Sequence, residues 1–282
     1  MIDLHLHTTA SDGRLSPTEL VRRVAAAGIQ VMSVTDHDTV ASLSETRNTA
    51  EAANITFVDG IELTAVHLGR DIHILGYFID VADETLTTFL QTQRDLRTAR
   101  VREIGDRLAA IGVPIDVEAL LAKVAARLGS SAGRPQVARA LVKAGHALSS
   151  QDAFDRFLGT GQAAFVPRVG PTAFEVVEMI HRVGGLASMA HPGVTKQPPL
   201  MAALAAAGLD AIEVYHSDHS VETRRSLQDF VATHQLLATG GSDFHGDGDR
   251  ARPLGGVSLP AADFARLETA ARKRRERDDH VS

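Results

Sequence analysis

The chain begins with MIDLHLHTTASDG (residues 1–13), in which two histidines flank one leucine directly after a short apolar lead. Residues i and i+2 of a β-strand point to the same face, so a strand here would place the imidazoles of His5 and His7 side by side. A chain of this length with 13 histidines holds about half an H-x-H pair by chance, so the pair alone does not establish a metal site. The rest of the chain has to decide between a metal site and coincidence.

The composition of the chain limits what the protein can be. Its 282 residues and 44% hydrophobic content allow one large α/β domain or a domain with an insertion. The net charge of −6, the 4% aromatic content and the absence of Trp argue against a protein that coats long nucleic acid or binds an anionic membrane. No run of residues is apolar enough to cross a membrane and no signal peptide precedes His5, so we expect a cytoplasmic protein.

Cysteine is absent from the chain. Its absence excludes disulfides and thiolate metal ligands, and it is typical of proteins in a reducing compartment. Any metal ion would therefore be held by histidine and carboxylate side chains, a donor set that suits manganese, iron or zinc.

Seven short apolar runs predict strands, and helical patterns separate most of them. The best-marked helix is SPTELVRRVAAAG, where Ser16 is a candidate N-cap, Glu19 completes a capping box and Gly28 ends the pattern. This alternation predicts parallel strands joined by right-handed crossovers, and therefore an α/β fold. Two of the runs are neighbours with a tight link at Gly69 and Arg70. The seven runs are MIDLHLH, IQVMSVTDHD, ITFVDGIELTAV, RDIHILGYFI, GGLASMAHPG, DAIEVYHS and LLATGGSDFHG.

Residues 86–165 have a different pattern, with apolar residues at helical spacing over several turns. Three short helical stretches follow the long one, namely DVEALLAKVA, RPQVARALVKAG and QDAFDRFLG. We predict that this segment is a helical insertion over the mouth of a barrel formed by residues 1–85 and 166–282. The basic run at residues 273–277 is interpreted as a solvated helix end rather than a nucleic-acid patch.

Candidate metal ligands lie at or beside the ends of nearly all the predicted strands. In a barrel of parallel strands these ends converge on one face, where active sites form. Nine strong candidates are too many for one ion and indicate two or three ions with a bridging carboxylate. Centres with more than one ion promote in-line phosphoryl displacement. The nine are His5, His7, Asp12, His37, Glu62, His73, His191, Asp243 and His245.

The motifs HLHTTASDG, TDHDT, GIEL, IHILGY, AHPG and GSDFHG, in this order, resemble those of the polymerase and histidinol phosphatase (PHP) family. The resemblance covers roughly residues 1–80 and 165–250. It implies a distorted (β/α)7 barrel with a helical insertion and a trinuclear metal centre. The seven strands counted from the apolar runs agree with that fold.

The resemblance also implies how the nine candidates divide among three ions, with manganese expected first and iron or zinc as alternatives. Glu62 would bridge two ions, and Glu62, His191 and Asp243 are the predicted catalytic residues. Asp36 and Asp38 are expected to orient metal-bound imidazoles. The first set is His5, His7, Glu62 and Asp243; the second is Glu62, His73 and His191; the third is Asp12, His37 and His245.

The insertion, with its GRP segment, resembles that of the stand-alone phosphoesterases of the family. These include nucleoside 3′,5′-bisphosphate phosphatases, some of which also trim short RNA from its 5′ end. Arg134 is predicted to grip a substrate phosphate, and Arg168 and His219 are further substrate-binding candidates. Gln136 stands where relatives often have histidine. The expected substrate is a small phosphorylated nucleotide or short oligonucleotide, attacked at its 3′-phosphate by a metal-bridging hydroxide.

Three other functions stay open at this stage. A histidinol phosphatase needs the same ions but a cavity that accepts a cationic amine, against which the insertion argues. A non-catalytic PHP module would bind nucleic acid or a polymerase, which the complete ligand set and the acidic net charge disfavour. A C–N hydrolase of the amidohydrolase kind would need two ions rather than three. The oligomeric state is not predicted by the sequence.

Overall fold

The computed structural model describes residues 1–126, 132–246 and 252–278 of the chain. Within them one sheet of seven strands follows the chain order, and each strand lies in one of the predicted runs except that β3 continues one residue further, to His67. Leu6 forms a parallel bridge with Phe244 just after the last strand, so the sheet is a nearly closed barrel and the predicted α/β barrel is confirmed. The strands are β1 (Ile2–Leu6), β2 (Val31–Val34), β3 (Thr56–His67), β4 (Arg70–Tyr77), β5 (Leu186–Met189), β6 (Ala211–His216) and β7 (Leu237–Gly241).

Helices connect most of the strands. The first begins as predicted, because the Ser16 side chain accepts a hydrogen bond from the Glu19 amide while the Glu19 carboxylate accepts one from the Ser16 amide. The helices are α1 (Pro17–Ala26), α2 (Leu43–Ala52), α3 (Glu84–Ala110), α4 (Val117–Ala125), α5 (Arg134–Lys143), α6 (Ser150–Ala153) with a π-helical turn (Phe154–Leu158), α7 (Ala173–Arg182), α8 (Pro192–Thr195), α9 (Pro198–Ala206), α10 (Val221–His234) and α11 (Ala261–Asp278).

β4 departs from the parallel arrangement predicted from the alternation of elements. It pairs antiparallel with both β3 and β5, whereas the other neighbouring strands pair parallel. The reason is the link between β3 and β4, which consists of Leu68 and Gly69, both with positive φ. A two-residue link of this kind closes a hairpin and is too short for a crossover helix. His73 therefore reaches the site from the first half of its strand.

The barrel and the helices between β4 and β5 have separate hydrophobic clusters. In the barrel, Ile61 and Ile74 of the sheet pack with Val176 and Ile180 of α7. A second cluster joins residues of α3, α4, α5 and the π-helical turn; its largest members include Ile104, Leu108, Val137, Leu141, Phe157 and Leu158. This separation supports the two predicted segments, but the division into domains stays a prediction. Residues 127–131, 247–251 and 279–282 of those segments, including the first two residues of SSAGRP, lie outside the described residues.

The basic end of α11 is partly anchored to the barrel. Arg274 pairs with Asp210, and Arg275 donates a hydrogen bond to the Phe78 carbonyl (3.0 Å). Lys273 is exposed. Among the helices of the described residues, we find none that combines the length and apolar character needed to cross a membrane.

Gly241 allows β7 to pass close to β1 where the barrel closes. A Cβ atom at this position would lie 2.3 Å from the His5 amide nitrogen and 2.4 Å from its Cβ atom. We expect Gly241→Ala to destabilise the protein by about 2 kcal/mol, because overpacking forces the backbone apart. The unfolding midpoint should fall by several degrees in a thermal melt. Gly133→Ala is the control, since its Cβ would lie 3.5 Å from the nearest atom. Equal midpoints for the two variants would contradict the close approach.

Candidate metal centre

β1 and the residue that follows it supply the first two histidines of the site. Because side chains alternate along a strand, His5 and His7 share one face, and Leu4 and Leu6 pack in hydrophobic clusters on the other. Both imidazoles are buried, and their ring centroids lie 5.1 Å apart. The H-x-H pair is therefore brought to one point, as the strand interpretation predicted.

Asp36 holds the loop that follows β1. Its carboxylate accepts hydrogen bonds from the amide and hydroxyl of Thr8 (2.7 and 2.6 Å) and from the hydroxyls of Ser11 (2.6 Å) and Ser42 (2.5 Å). Asp36 therefore organises the loop that presents Asp12 to the site, in place of the imidazole-orienting role predicted for it.

Glu62 lies at the centre of the candidate ligands and is 1% exposed. Its Oε2 atom faces three imidazoles, and its Oε1 atom faces two others. A carboxylate between two groups of imidazoles occupies the position of a bridging ligand. From Oε2 the ring nitrogens lie at 3.2 Å (His5), 3.3 Å (His7) and 3.3 Å (His37), and from Oε1 at 2.8 Å (His73) and 3.2 Å (His191).

Two further carboxylates complete the cluster. The Oδ1 atom of Asp243 lies 3.4 Å from His5 Nε2 and 3.2 Å from His7 Nε2. Its other oxygen, Oδ2, lies 3.3 Å from His216 Nε2 and pairs with Arg252. Asp12 approaches from the loop, and its carboxylate oxygens lie 3.2 Å from His245, 3.7 Å from His7 and 3.7 Å from His37.

Several buried ring nitrogens of the cluster have no hydrogen-bond partner among the residues that the structure describes. They are both nitrogens of His7, Nδ1 of His73 and Nδ1 of His191. Buried polar atoms normally have hydrogen-bond partners. Unpaired ring nitrogens in a cluster of carboxylates therefore indicate that a metal ion binds between the two kinds of group. The donors are imidazole and carboxylate, and they fit divalent ions such as manganese, iron or zinc. Groups with ligand atoms within 4.8 Å of one another are His7–Asp12–His37–His245, His5–His7–Asp243, His37–Glu62–His73 and His5–Glu213–His216.

The buried charges shift one another's pKa values. Burial opposes the charge of Glu62, but the neighbouring imidazoles, of which His37 and His73 act most strongly, outweigh it and hold the pKa of Glu62 well below its usual value. Burial also opposes a charge on His7, yet Asp243 and Glu62 raise its pKa to about 10. Cationic groups thus compensate the buried carboxylates, a role that divalent ions can also fill.

Backbone strain coincides with the site. Asp38, His191 and Asp243 have φ angles of 51°, 29° and 55°, in the left-handed region that non-glycine residues rarely adopt. Such strain costs free energy and persists only where the surroundings hold it, typically at functional sites. The strained backbone of His191 is stabilised by a 2.7 Å hydrogen bond that its amide donates to Glu213 Oε2.

Glu213 was not assigned a role from the sequence, and the structure places it against the predicted ligands. It is fully buried, and Oε1 lies 2.8 Å from His5 Nδ1 while Oε2 accepts from the His191 amide. Glu213 therefore orients His5 in the way predicted for Asp36 and Asp38. Its signal in the sequence is its place on β6, a strand that supplies none of the nine candidate ligands.

Asp38 contacts arginines. It accepts hydrogen bonds from the Thr64 amide (2.8 Å) and hydroxyl (2.9 Å), pairs with Arg97, and lies 3.6 Å from Arg168 Nη2. Burial opposes its charge, but Arg97 and Arg168 keep its pKa below the usual value. Asp38 thus holds two arginines beside the imidazoles instead of orienting one of them.

His219, a predicted substrate contact, has both ring nitrogens engaged by the backbone. Nδ1 lies 2.9 Å from the Val214 carbonyl, and Nε2 accepts from the Gly193 amide at 3.1 Å. The ring is 4% exposed. These contacts favour a role in tying β6 to the turn after His191 over a role in binding substrate.

One cavity of about 1100 Å³ extends from the metal centre to α4 and α5. Asp12, His37 and His73 line its inner end. Both predicted phosphate-binding arginines line it: Arg168, 9% exposed, pairs with Asp71 at 3.1 Å, and Arg134 lies over the rings of Phe154 and Phe165 at 5.8 and 5.7 Å. Arg97 and Arg100, which sequence reasoning missed on the long helix α3, join them.

Comparison with known proteins agrees with this geometry. The PHP domain family matches residues 3–128. A 5′-3′ exoribonuclease of Haemophilus influenzae is 37% identical over 86% of this chain and 89% of its own length, and a 3′,5′-nucleoside bisphosphate phosphatase of Chromobacterium violaceum is 32% identical over 90% of each. A crystal structure from Bifidobacterium adolescentis, assigned as a metal-dependent phosphoesterase, superposes with a TM-score of 0.80 at 30% identity over 94% of both chains. The barrel, its histidine and carboxylate cluster and these likenesses establish that the chain belongs to the PHP-domain family of metal-dependent phosphoesterases.

Proposed function

We propose that the protein hydrolyses the 3′-phosphoester of a nucleotide that carries a 5′-phosphate. Its substrates would be nucleoside 3′,5′-bisphosphates and the 5′ end of short RNA. The observation that carries the proposal is the single cavity in which candidate metal ligands line one end and four arginines lie close by. The Chromobacterium violaceum and Haemophilus influenzae relatives are named for these two activities.

We assign two or three divalent ions to the nine candidate ligands, with manganese first. When bound, such ions supply Lewis acidity and a water molecule of lowered pKa. In this assignment Glu62, His191 and Asp243 are the catalytic residues. Glu62 on β3 and Asp243, two residues after β7, direct carboxylate oxygens at the imidazole of His7, and His191 closes the group around Glu62 Oε1.

Arg168 and its neighbours would bind the 5′-phosphate. A guanidinium grips a phosphate with two parallel hydrogen bonds, and Arg168 lines the cavity with 9% of its side chain exposed. Arg97 pairs with Asp38, which Arg168 also approaches. Arg100 and Arg134 line the same cavity. Binding energy from this remote phosphate can position the reacting one.

The same bond breaks in both substrates. Water adds to phosphorus as the bond from phosphorus to O3′ breaks, and O3′ leaves with a proton. A bisphosphate then yields a nucleoside 5′-phosphate and inorganic phosphate. An RNA yields a 5′-nucleotide and a chain that is one residue shorter and carries a new 5′-phosphate, so the product is again a substrate.

Histidinol phosphatase activity is the alternative that the cavity disfavours. Histidinol phosphate carries an ammonium group, which needs a carboxylate partner. Two carboxylates of the cavity wall are already engaged, because Asp71 pairs with Arg168 and Asp116 caps α4 by accepting from the Ala119 amide (2.9 Å). Five arginines line the same cavity and would repel the amine.

Phosphate release by the manganese-loaded enzyme tests the proposal. The substrates are adenosine 3′,5′-bisphosphate, adenosine 3′-phosphate, adenosine 5′-phosphate and histidinol phosphate. We expect the bisphosphate to turn over fastest, the 3′-phosphate slowly and the 5′-phosphate not at all. Preferred turnover of histidinol phosphate, or equal rates on the bisphosphate and the 3′-phosphate, would overturn the proposal.

Glu213→Gln is expected to weaken metal binding by 10- to 100-fold, the usual cost of losing a partner that orients a ligand. The amide can still accept from His5, but its NH2 group faces the His191 amide, so one of the two hydrogen bonds is lost. Metal content after dialysis against graded chelator measures the effect. Glu222→Gln, at an exposed position of α10, is the control. Unchanged metal retention would show that Glu213 does not position the ligands.

A further inference from the structure

The cavity does not end at the arginines beside the metal centre. Its far side is formed by α4 and α5, where Lys123, Arg139 and Lys143 line it; these three residues are here called the outer cationic wall. All three side chains are exposed. At about 1100 Å³ the cavity exceeds the range of about 300–1,000 Å³ that small ligands usually occupy. A single nucleotide leaves this outer part of the cavity unused.

The outer cationic wall is not neutralised by the protein. Within the described residues no carboxylate lies in ion-pair distance of Lys123, Arg139 or Lys143, in contrast to Arg97 and Arg168. Nearby carboxylates have other partners, since Asp116 caps α4 and Glu118 pairs with Arg102. Arg139 and Lys143 are four residues apart on one helix face, a spacing at which like charges repel and destabilise the helix. An anion along this wall would relieve that repulsion.

Apolar and aromatic groups lie between the cations. Leu120, Val124, Ala140 and Phe154 line the same part of the cavity. Grooves that bind single-stranded nucleic acid combine cations that follow the backbone with aromatic side chains on which bases stack, and Phe154 is the aromatic residue among these four. The whole chain has a net charge of −6, so a local excess of cations inside a cavity is a specific feature.

We propose that the outer cationic wall binds a second phosphodiester of a single-stranded oligonucleotide whose 5′ end occupies the metal centre. This inference rests on the proposed function and deepens it. The arginines beside the metal centre read the 5′-phosphate that both substrate types share. The outer cationic wall reads a phosphodiester that only the longer substrate has. The enzyme therefore distinguishes an oligonucleotide from a nucleoside bisphosphate by its length.

The test compares the wild type with the triple variant Lys123→Ala/Arg139→Ala/Lys143→Ala on adenosine 3′,5′-bisphosphate and on a 5′-phosphorylated trinucleotide. We expect KM for the trinucleotide to rise about 10-fold, with KM for the bisphosphate within about two-fold of the wild type. The salt dependence of trinucleotide binding should also weaken, by about 0.7 in the slope of log K against log[salt] for each phosphate that the variant no longer neutralises. Ribose and deoxyribose trinucleotides are run in parallel, and equal effects on both identify the phosphate backbone as the group that the wall binds.

The matched control is Arg266→Ala/Lys273→Ala/Arg277→Ala. It removes the same charge from α11. These three residues lie near the first residues of β5 and β7, at the end of the barrel opposite the metal centre. Thermal melts verify that both variants fold. Equal loss on both substrates, an unchanged trinucleotide KM, or the same loss in the control overturns the subsite. Failure of the wild type to cleave either substrate overturns the proposed function itself.

Discussion

Glu62→Gln is expected to lower kcat/KM by about 10³-fold, which corresponds to about 4 kcal/mol of activation free energy. The carboxylate of Glu62 faces imidazoles with both oxygens, at 2.8 Å from His73 and 3.2 Å from His5. Glutamine keeps the shape but loses the charge and one of the two oxygen ligands. The two groups of imidazoles then no longer share a bridging carboxylate.

The metal content of the loaded and desalted protein should fall by at least one ion per chain along with activity. Glu51→Gln, an exposed glutamate of α2, is the matched control and should leave both quantities unchanged. Full activity of Glu62→Gln with undiminished metal content would remove Glu62 from the proposed centre. A circular dichroism spectrum like that of the wild type ensures that the loss does not come from unfolding.

Arg168→Ala is expected to lower kcat/KM for adenosine 3′,5′-bisphosphate by about 10²-fold, because the variant no longer offers a buried guanidinium to the 5′-phosphate. The rate on adenosine 3′-phosphate should change little, since this substrate lacks the group that Arg168 would bind. The preference between the two substrates then mostly disappears. Arg134→Ala should act in the same direction.

Arg168→Lys separates charge from geometry, since lysine keeps the charge without the planar fork. It should recover part of the lost rate. Arg94→Ala, on α3 and outside the cavity lining, is the control. A parallel loss on both substrates would indicate that Arg168 supports the metal centre through Asp38 and does not read the second phosphate.

Local features of the fold could be predicted from the sequence because their causes are local. The capping box of Ser16 and Glu19 involves only neighbouring residues, and apolar runs mark strands wherever they lie. The direction of β4 is a further local feature, since it is set by the tight link to β3 that the sequence marks at Gly69 and Arg70. The general alternation of strands and helices favoured a parallel strand, whereas the two positive φ angles at Leu68 and Gly69 produce a hairpin.

Contacts between distant segments could not be predicted in the same way. Glu213 and His5 are 208 residues apart and meet because β6 and β1 converge on one end of the barrel. Asp38 and Arg97 meet because α3 brings Arg97 into the cavity lining, where Arg97 also donates a hydrogen bond to Thr64 of β3 (3.2 Å). No spacing in the sequence encodes these pairs, since each depends on the register of the strands and the placement of a helix.

By itself the sequence determined which residue types could hold metal ions and that they follow strands, since ligand chemistry and strand periodicity are properties of short segments. Only the tertiary structure decided how these segments combine. It set Glu62 between two groups of imidazoles, gave the orienting role to Glu213, and turned Asp38 toward the arginines. It also joined the metal centre to a basic cavity under α4 and α5. Barrel closure and helix packing bring together side chains that are far apart in the chain, and this juxtaposition creates the candidate site.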